Sequence, residues 1–160
     1  MNNLDFTEKL IKGRIAETIF ELMFRESDWF TILKFGYENT SPELAQFQHH
    51  LKNKKVLDKV RNAPDFLLLS QNKESAYFVE VKFRSKLSKT EAKKLAEEVK
   101  EQADPSYLFI ATSEGFFFDP CNTIINKEGA ISKLDESWIP KETQEKYLKL
   151  LNMFEPKGAK

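Results

Sequence analysis

Apolar residues recur along this chain with two periods, and the switches between them mark out its elements. From about Asp5 to Arg25, Leu10, Ile11, Ile15, Ile19, Phe20, Leu22, Met23 and Phe24 fall at helical spacing over a broad sector, which predicts a heavily buried first helix. Trp29 to Tyr37 alternates loosely and predicts a strand. Ser41-Pro42-Glu43 has the form of a helix start, with Ser41 as N-cap and Pro42 in the first position, and Leu44, Phe47 and Leu51 follow at helical spacing. Asp65-Phe66-Leu67-Leu68-Leu69 and Ala76–Phe83 are short apolar runs separated by the polar stretch Ser70–Ser75, a hairpin signature. Ser88-Lys89-Thr90-Glu91 reads as a capping box opening a helix to Ala103, with Ala92, Leu95, Ala96, Val99 and Ala103 as its apolar stripe. Tyr107–Thr112 is nearly continuous in apolar residues, as a buried strand is, and Gly115–Asp119 predicts a further strand. The pattern assigns nothing from Cys121 to Pro140. Lys141–Phe154 predicts a last helix with Tyr147, Leu148, Leu151 and Phe154 inward.

The predicted order is helix, three strands, helix, two strands. The helix at Lys89 lies between two strands and makes a β-α-β crossover, so the fold class is α/β with a mixed sheet. At 160 residues the chain reads as one domain over 1–156 with a frayed tail at 157–160. Fourteen phenylalanines against five glycines point to a well-filled core. The single Cys121 allows no internal disulfide and reads as structural, which suits a reducing cytoplasm. Met1–Asp5 lacks a basic segment leading into an apolar one, and no stretch approaches the roughly 18 apolar residues of a membrane span. The 25 basic and 25 acidic residues cancel, which argues against coating nucleic acid through bulk charge but leaves local charge open.

The chemistry concentrates on the predicted hairpin. Glu80 and Lys82 share one face of their strand, with Cα atoms roughly 6.6 Å apart, and Tyr77, Val79 and Val81 take the other. Asp65 follows Pro64, a residue that cannot donate a ladder hydrogen bond and so favours a strand edge. An antiparallel return brings Asp65 beside Glu80. Two carboxylates so placed repel unless a cation or a proton lies between them, and hard oxygen ligands select Mg²⁺ or Mn²⁺ over zinc. Glu17 lies at the margin of the first helix's apolar sector, where burial is expensive without a partner. Its carboxylate either ligates a metal or water, or pairs with Arg14 or Lys82, or stands exposed. Gly13, on the same stripe, lowers helix propensity and would let a strand or a phosphate come close. His49 and His50 are the chain's two histidines, so a histidine-based metal site is not expected.

Pro64-Asp65, then Glu80-Val81-Lys82, resembles the signature of the PD-(D/E)XK nuclease superfamily, the restriction-endonuclease-like fold. The resemblance covers about the first two-thirds of the chain, and the predicted element order is similar to that family's α-β-β-β-α-β core. It implies that Asp65, Glu80 and the carbonyl of Val81 bind the metal, that Lys82 orients the attacking water and stabilises charge on the phosphate, and that Glu17 matches the glutamate many members add from the first helix. It implies an Mg²⁺- or Mn²⁺-dependent nuclease acting on DNA. Lys12-Gly13-Arg14-Ile15-Ala16-Glu17 is similar to the first-helix pattern of archaeal Holliday-junction resolvases, so structure-selective cutting is the alternative activity. A non-cleaving binding or assembly module on the same fold is the rival from another class. Gln102 and Tyr107 are separated by four residues, which departs from the Gln-x-x-x-Tyr pattern of RecB-like exonucleases. A homodimer or a recognition partner protein would complete so small an enzyme.

The dense basic stretch Lys52, Lys54 and Lys55, continued by Lys59 and Arg61 and joined by Arg84 and Lys86 after the motif strand, is the expected DNA-contacting surface. Each phosphate contact adds about one unit to the slope of log affinity against log salt. Replacing Lys54 and Lys55 by alanine is therefore expected to weaken binding to all DNA sequences alike and to flatten that slope by about two units. A salt titration checks this, and an unchanged slope would reduce the stretch to a solvated loop.

Overall fold

The computed structural model describes residues 3–35 and 63–154. The helix expected from Ser41, His49, His50, the run Lys52, Lys54, Lys55, Lys59 and Arg61, and the tail from 155 lie outside the described residues. Helix α1 (Asn3–Glu26) leads into strands β1 (Phe30–Lys34), β2 (Phe66–Ser70) and β3 (Ala76–Phe83). Helix α2 (Lys89–Gln102), β4 (Ser106–Thr112), β5 (Gly115–Pro120), the short α3 (Cys121–Asn126) and α4 (Lys141–Phe154) follow. The strands form one sheet in the order β1-β2-β3-β4-β5. β3 and β4 run parallel across the α2 crossover, and the other neighbours are antiparallel. The element order follows the expected α-β-β-β-α-β core, a mixed central sheet flanked by helices, with an additional C-terminal helix.

The sheet separates two apolar cores, and strand alternation decides which residue enters which. The larger core gathers Ala16, Ile19, Phe20, Met23 and Phe24 of α1 with Val79, Val81, Phe109, Phe118 and the α4 residues Tyr147 and Leu151. Its centre is aromatic: Phe20 and Phe24 sit 4.4 Å apart, and Phe109 lies 5.0 Å from Phe20, edge to face. The smaller core packs Ala92, Leu95, Ala96 and Val99 of α2 against Leu108, Ile110, Cys121 and Ile124. β4 feeds both, which explains its unbroken apolar run.

Several expectations shift. The first helix is buried only from Ala16 to Phe24; Leu4, Phe6, Leu10 and Ile11 are exposed, as is Leu22. The reason is length: 24 residues of helix span roughly 36 Å, whereas the eight-residue β3 spans roughly 26 Å, so α1 overhangs the sheet. Phe154, expected inward, is exposed at the end of α4. The first strand is confined to Phe30–Lys34, although the Phe35 amide still donates to the Asp65 carbonyl at 2.9 Å. The unassigned stretch holds α3 and an isolated bridge between Lys133 and Phe117, and Trp138 packs against Phe30, Tyr107 and Phe118. The Ser88 capping box is half made: Ser88 accepts from the Glu91 amide, but the Glu91 carboxylate turns to Arg84.

Phe109→Ala empties a fully buried site that meets Phe20, Phe24, Phe116 and Phe118. It is expected to lower unfolding stability by about 3–5 kcal/mol, while Ile11→Ala on the overhang shifts it by about 0.5 kcal/mol or less. Urea unfolding distinguishes the two.

Candidate active site

The β2–β3 register brings the two motif halves together. Phe66 pairs with Val79 at the end of the ladder, so Asp65, one step further, enters beside Glu80. Even-numbered β3 residues turn their amides towards β4, as Phe78 donating to the Pro105 carbonyl and Arg84 donating to the Ala111 carbonyl show. Val81 therefore turns both its amide and its carbonyl towards β2, because the two groups of one strand residue share a partner. Its amide donates to Oδ2 of Asp65 at 2.9 Å. The paired ladder ends at Phe66 and Val79, and a proline just beyond it has no N–H with which to extend the pairing.

On the same side, Lys82 Nζ lies 2.8 Å from Glu80 Oε1. The pKa of Asp65 is raised to about 7, by burial first and then by the negative charges of Glu80 and Glu17, against the Val81 amide and the Lys82 charge, which lower it. For Lys82, burial is the largest influence and works against its charge, yet Glu80, through charge and hydrogen bond, and Asp65 together lift its pKa above the usual value. Oxygen donors held together against their mutual repulsion suit a hard divalent cation. Among the described residues no three His, Cys, Asp or Glu side chains gather as a metal cage. The donor set that fits a cation here is two carboxylates and the Val81 carbonyl.

These groups open into a cleft of about 810 Å³ between α1 and α2. Asp65, Glu80, Lys82, Glu17 and Arg84 all line it, and Lys86 does not. Glu17 approaches Arg14 at 3.5 Å, so the ion pair open to it from the sequence is formed. Arg84 is held by Glu91 on α2 and donates from Nη1 to its neighbour's carbonyl on Phe83 at 2.7 Å. Gly13 also lines the cleft, and no described strand approaches it: among the described residues, a Cβ built there meets nothing within 4 Å. Gln102 lines the cleft, whereas Tyr107 packs on the other side of the sheet, stacked on Phe118. Cys121 is buried in the small core, and burial raises its thiol pKa, as suits a structural residue.

No family model matches the chain. No curated protein matches it. Among solved structures it is similar to Hjc, a Holliday junction resolvase of the archaeal hyperthermophile Archaeoglobus fulgidus. The two share 18% identity over 84% of this chain and 98% of that one, with a TM-score of 0.38, a loose likeness. No described helix is long and apolar enough to cross a membrane.

The cleft also contains Lys9 and Lys34, cations that the sequence reading passed over, and Arg14, which it offered only as a partner of Glu17 and as part of the first-helix pattern. Lys9, Gly13, Glu17 and Glu21 recur every fourth residue and all line the cleft, so helical spacing from Glu17 could have found Lys9. Lys34 had no such signal, since only its pairing opposite Phe66 sets it next to Asp65.

Asp65 supplies a pH test. Its folded pKa, about 7, lies above the ordinary 3.8, so the folded state holds a proton that the unfolded chain has released in between. Stability therefore falls as pH rises through that window, by up to about 1.4 kcal/mol per pH unit. Asp65→Asn keeps an oxygen for the Val81 amide and cannot titrate. Its melting temperature without divalent metal is expected to gain on the natural protein from pH 4 to pH 7 and then level off. A constant difference would mean an ordinary Asp65. Mg²⁺ at pH 8 is expected to stabilise the natural protein and not the variant.

Proposed function

We propose that the chain is a metal-dependent nuclease of the PD-(D/E)XK superfamily that hydrolyses DNA phosphodiester bonds, with residues 1–156 forming its single domain. The observation that carries this reading is the convergence of Asp65, Glu80 and Lys82 in one cleft, with Asp65 tied to the Val81 amide and Lys82 paired with Glu80. Asp65, Glu80 and the Val81 carbonyl would hold Mg²⁺ or Mn²⁺. The bound ion supplies Lewis acidity and a water of lowered pKa. Lys82, kept protonated by Glu80 and Asp65, would orient an attacking water and place positive charge where negative charge grows on the phosphate. Glu17 stands on the opposite wall as a further acid towards the site. The described residues offer no rival nucleophile beside this cluster, Cys121 being buried in the other core.

DNA meets the site through cations on both walls: Lys9, Arg14 and Lys34 on one side, Arg84 on the other. The basic run from Lys52 to Arg61 lies outside the described residues, and with Lys86 it stays a DNA-contact proposal drawn from sequence alone. Structure-selective cutting of branched DNA is a second reading. The first-helix pattern Lys12 to Glu17 favours it, since Gly13, Arg14 and Glu17 of that pattern line the cleft. Cutting both strands symmetrically calls for a homodimer or a partner protein. The single Cys121 suits work in a reducing cytoplasm.

The test is a panel of linear duplex, single-stranded and four-way-junction DNA incubated with Mg²⁺, Mn²⁺ or chelator. Cleavage is expected with either metal, none with chelator, and none for Glu80→Ala. Lys82→Ala is expected to lower kcat by about 10²–10³-fold, the scale of one lost charge-stabilising group. Folded protein that binds DNA but cuts no substrate with either metal would favour the non-cleaving module.

A further inference from the structure

Gly13 lies in the interior of a 24-residue helix, where glycine is destabilising by roughly 0.5–1 kcal/mol relative to alanine. Two structural reasons retain glycine elsewhere, and neither applies here. Gly129 shows what they look like: its φ is 93°, and a Cβ there would fall 1.9 Å from the Lys89 carbonyl oxygen. Gly13 is helical without positive φ, and a Cβ built on it meets no heavy atom within 4 Å. Among the described residues, neither conformation nor internal packing excludes a side chain.

What distinguishes the position is the space it opens into. The i, i+4 ridge Lys9-Gly13-Glu17 faces the cleft that holds Asp65, Glu80 and Lys82. Glycine interrupts that ridge and leaves a notch, with a cation one turn before it and an acid one turn after. Leu10, beside the notch and lining the same cleft, is 52% exposed. An exposed aliphatic residue next to a lysine suits a ligand that presents sugar and base surface together with phosphate.

We infer that Gly13 is a clearance position: one strand of the nucleic-acid substrate crosses α1 at this notch, with its sugar–phosphate backbone against the helix, on its way to the carboxylates. The inference rests on the nuclease reading for its substrate class. It adds that close approach to α1 is needed for binding, and that helix stability is given up for it.

The experiment is a size series at position 13, Gly13→Ala and Gly13→Leu, with Ile11→Ala as a control on the same helix, exposed and outside the cleft lining. Melting temperature, DNA affinity in Ca²⁺ and cleavage kinetics in Mg²⁺ are measured on the full chain. Gly13→Ala is expected to raise the melting temperature by about 2–4 °C. The same variant is expected to weaken DNA binding about tenfold, as an overpacked contact does, and Gly13→Leu more so. KM is expected to rise more than kcat falls, and Ile11→Ala to bind as the natural protein does. A natural protein that binds and cuts DNA while Gly13→Ala binds equally well overturns the clearance role and leaves the nuclease reading intact. Equal weakening by Ile11→Ala also overturns it. A natural protein that binds DNA without cutting overturns the nuclease reading, and the affinity series still decides on Gly13. Failure of the natural protein to bind any DNA overturns both.

Discussion

Everything in this fold is arranged around the confinement of like charge. Asp65 and Glu80 are set side by side by the β2–β3 register, and burial makes their repulsion expensive. Such a pair persists only when the surrounding structure leaves it no escape. The Val81 amide pins one oxygen of Asp65, the Phe35 amide holds its carbonyl, and Lys82 holds Glu80 from the same strand face. Behind them Val79 and Val81 are locked into the aromatic core against α1, so β3 cannot slide to relieve the strain of charge. A one-residue slip would also throw every core residue of β3 onto the wrong face.

Much of this was legible in the residues, because it depends on local periods. The hairpin, the alternation of β3 and the crossover through α2 follow from patterns a few residues long. Asp65 and Glu80 could be placed opposite each other because the linker between their strands is short. The extent of α1's burial was not legible. Its apolar residues continue past the end of the sheet, and the length of the sheet is a property of other segments. The same applies to Phe154. The stretch from Cys121 to Pro140 follows no period, being held by a short helix, one bridge to Phe117 and the packing of Trp138.

At the cleft, the residues of β3 could be read from the motif, but those of the opposite wall could not all be. Lys9 and Gly13 belong to the face of Glu17 by helical spacing, yet that face becomes a wall only because α1 overlies β3. Lys34 arrives through strand pairing. Glu91 illustrates the competition between local and tertiary demands. A capping box would bring its carboxylate back to the Ser88 amide, and the ion pair with Arg84 at the cleft takes it instead.

The alternation of β3 also has a bearing on descent. Val79 and Val81 carry the strand's structural duty in the large core, while Glu80 and Lys82, on the other face, contribute little to packing. Selection can therefore act on the two sets separately. A lineage could change the acid or the lysine in a single substitution and keep the fold, which makes the residues at these two positions the first to inspect in any homologue.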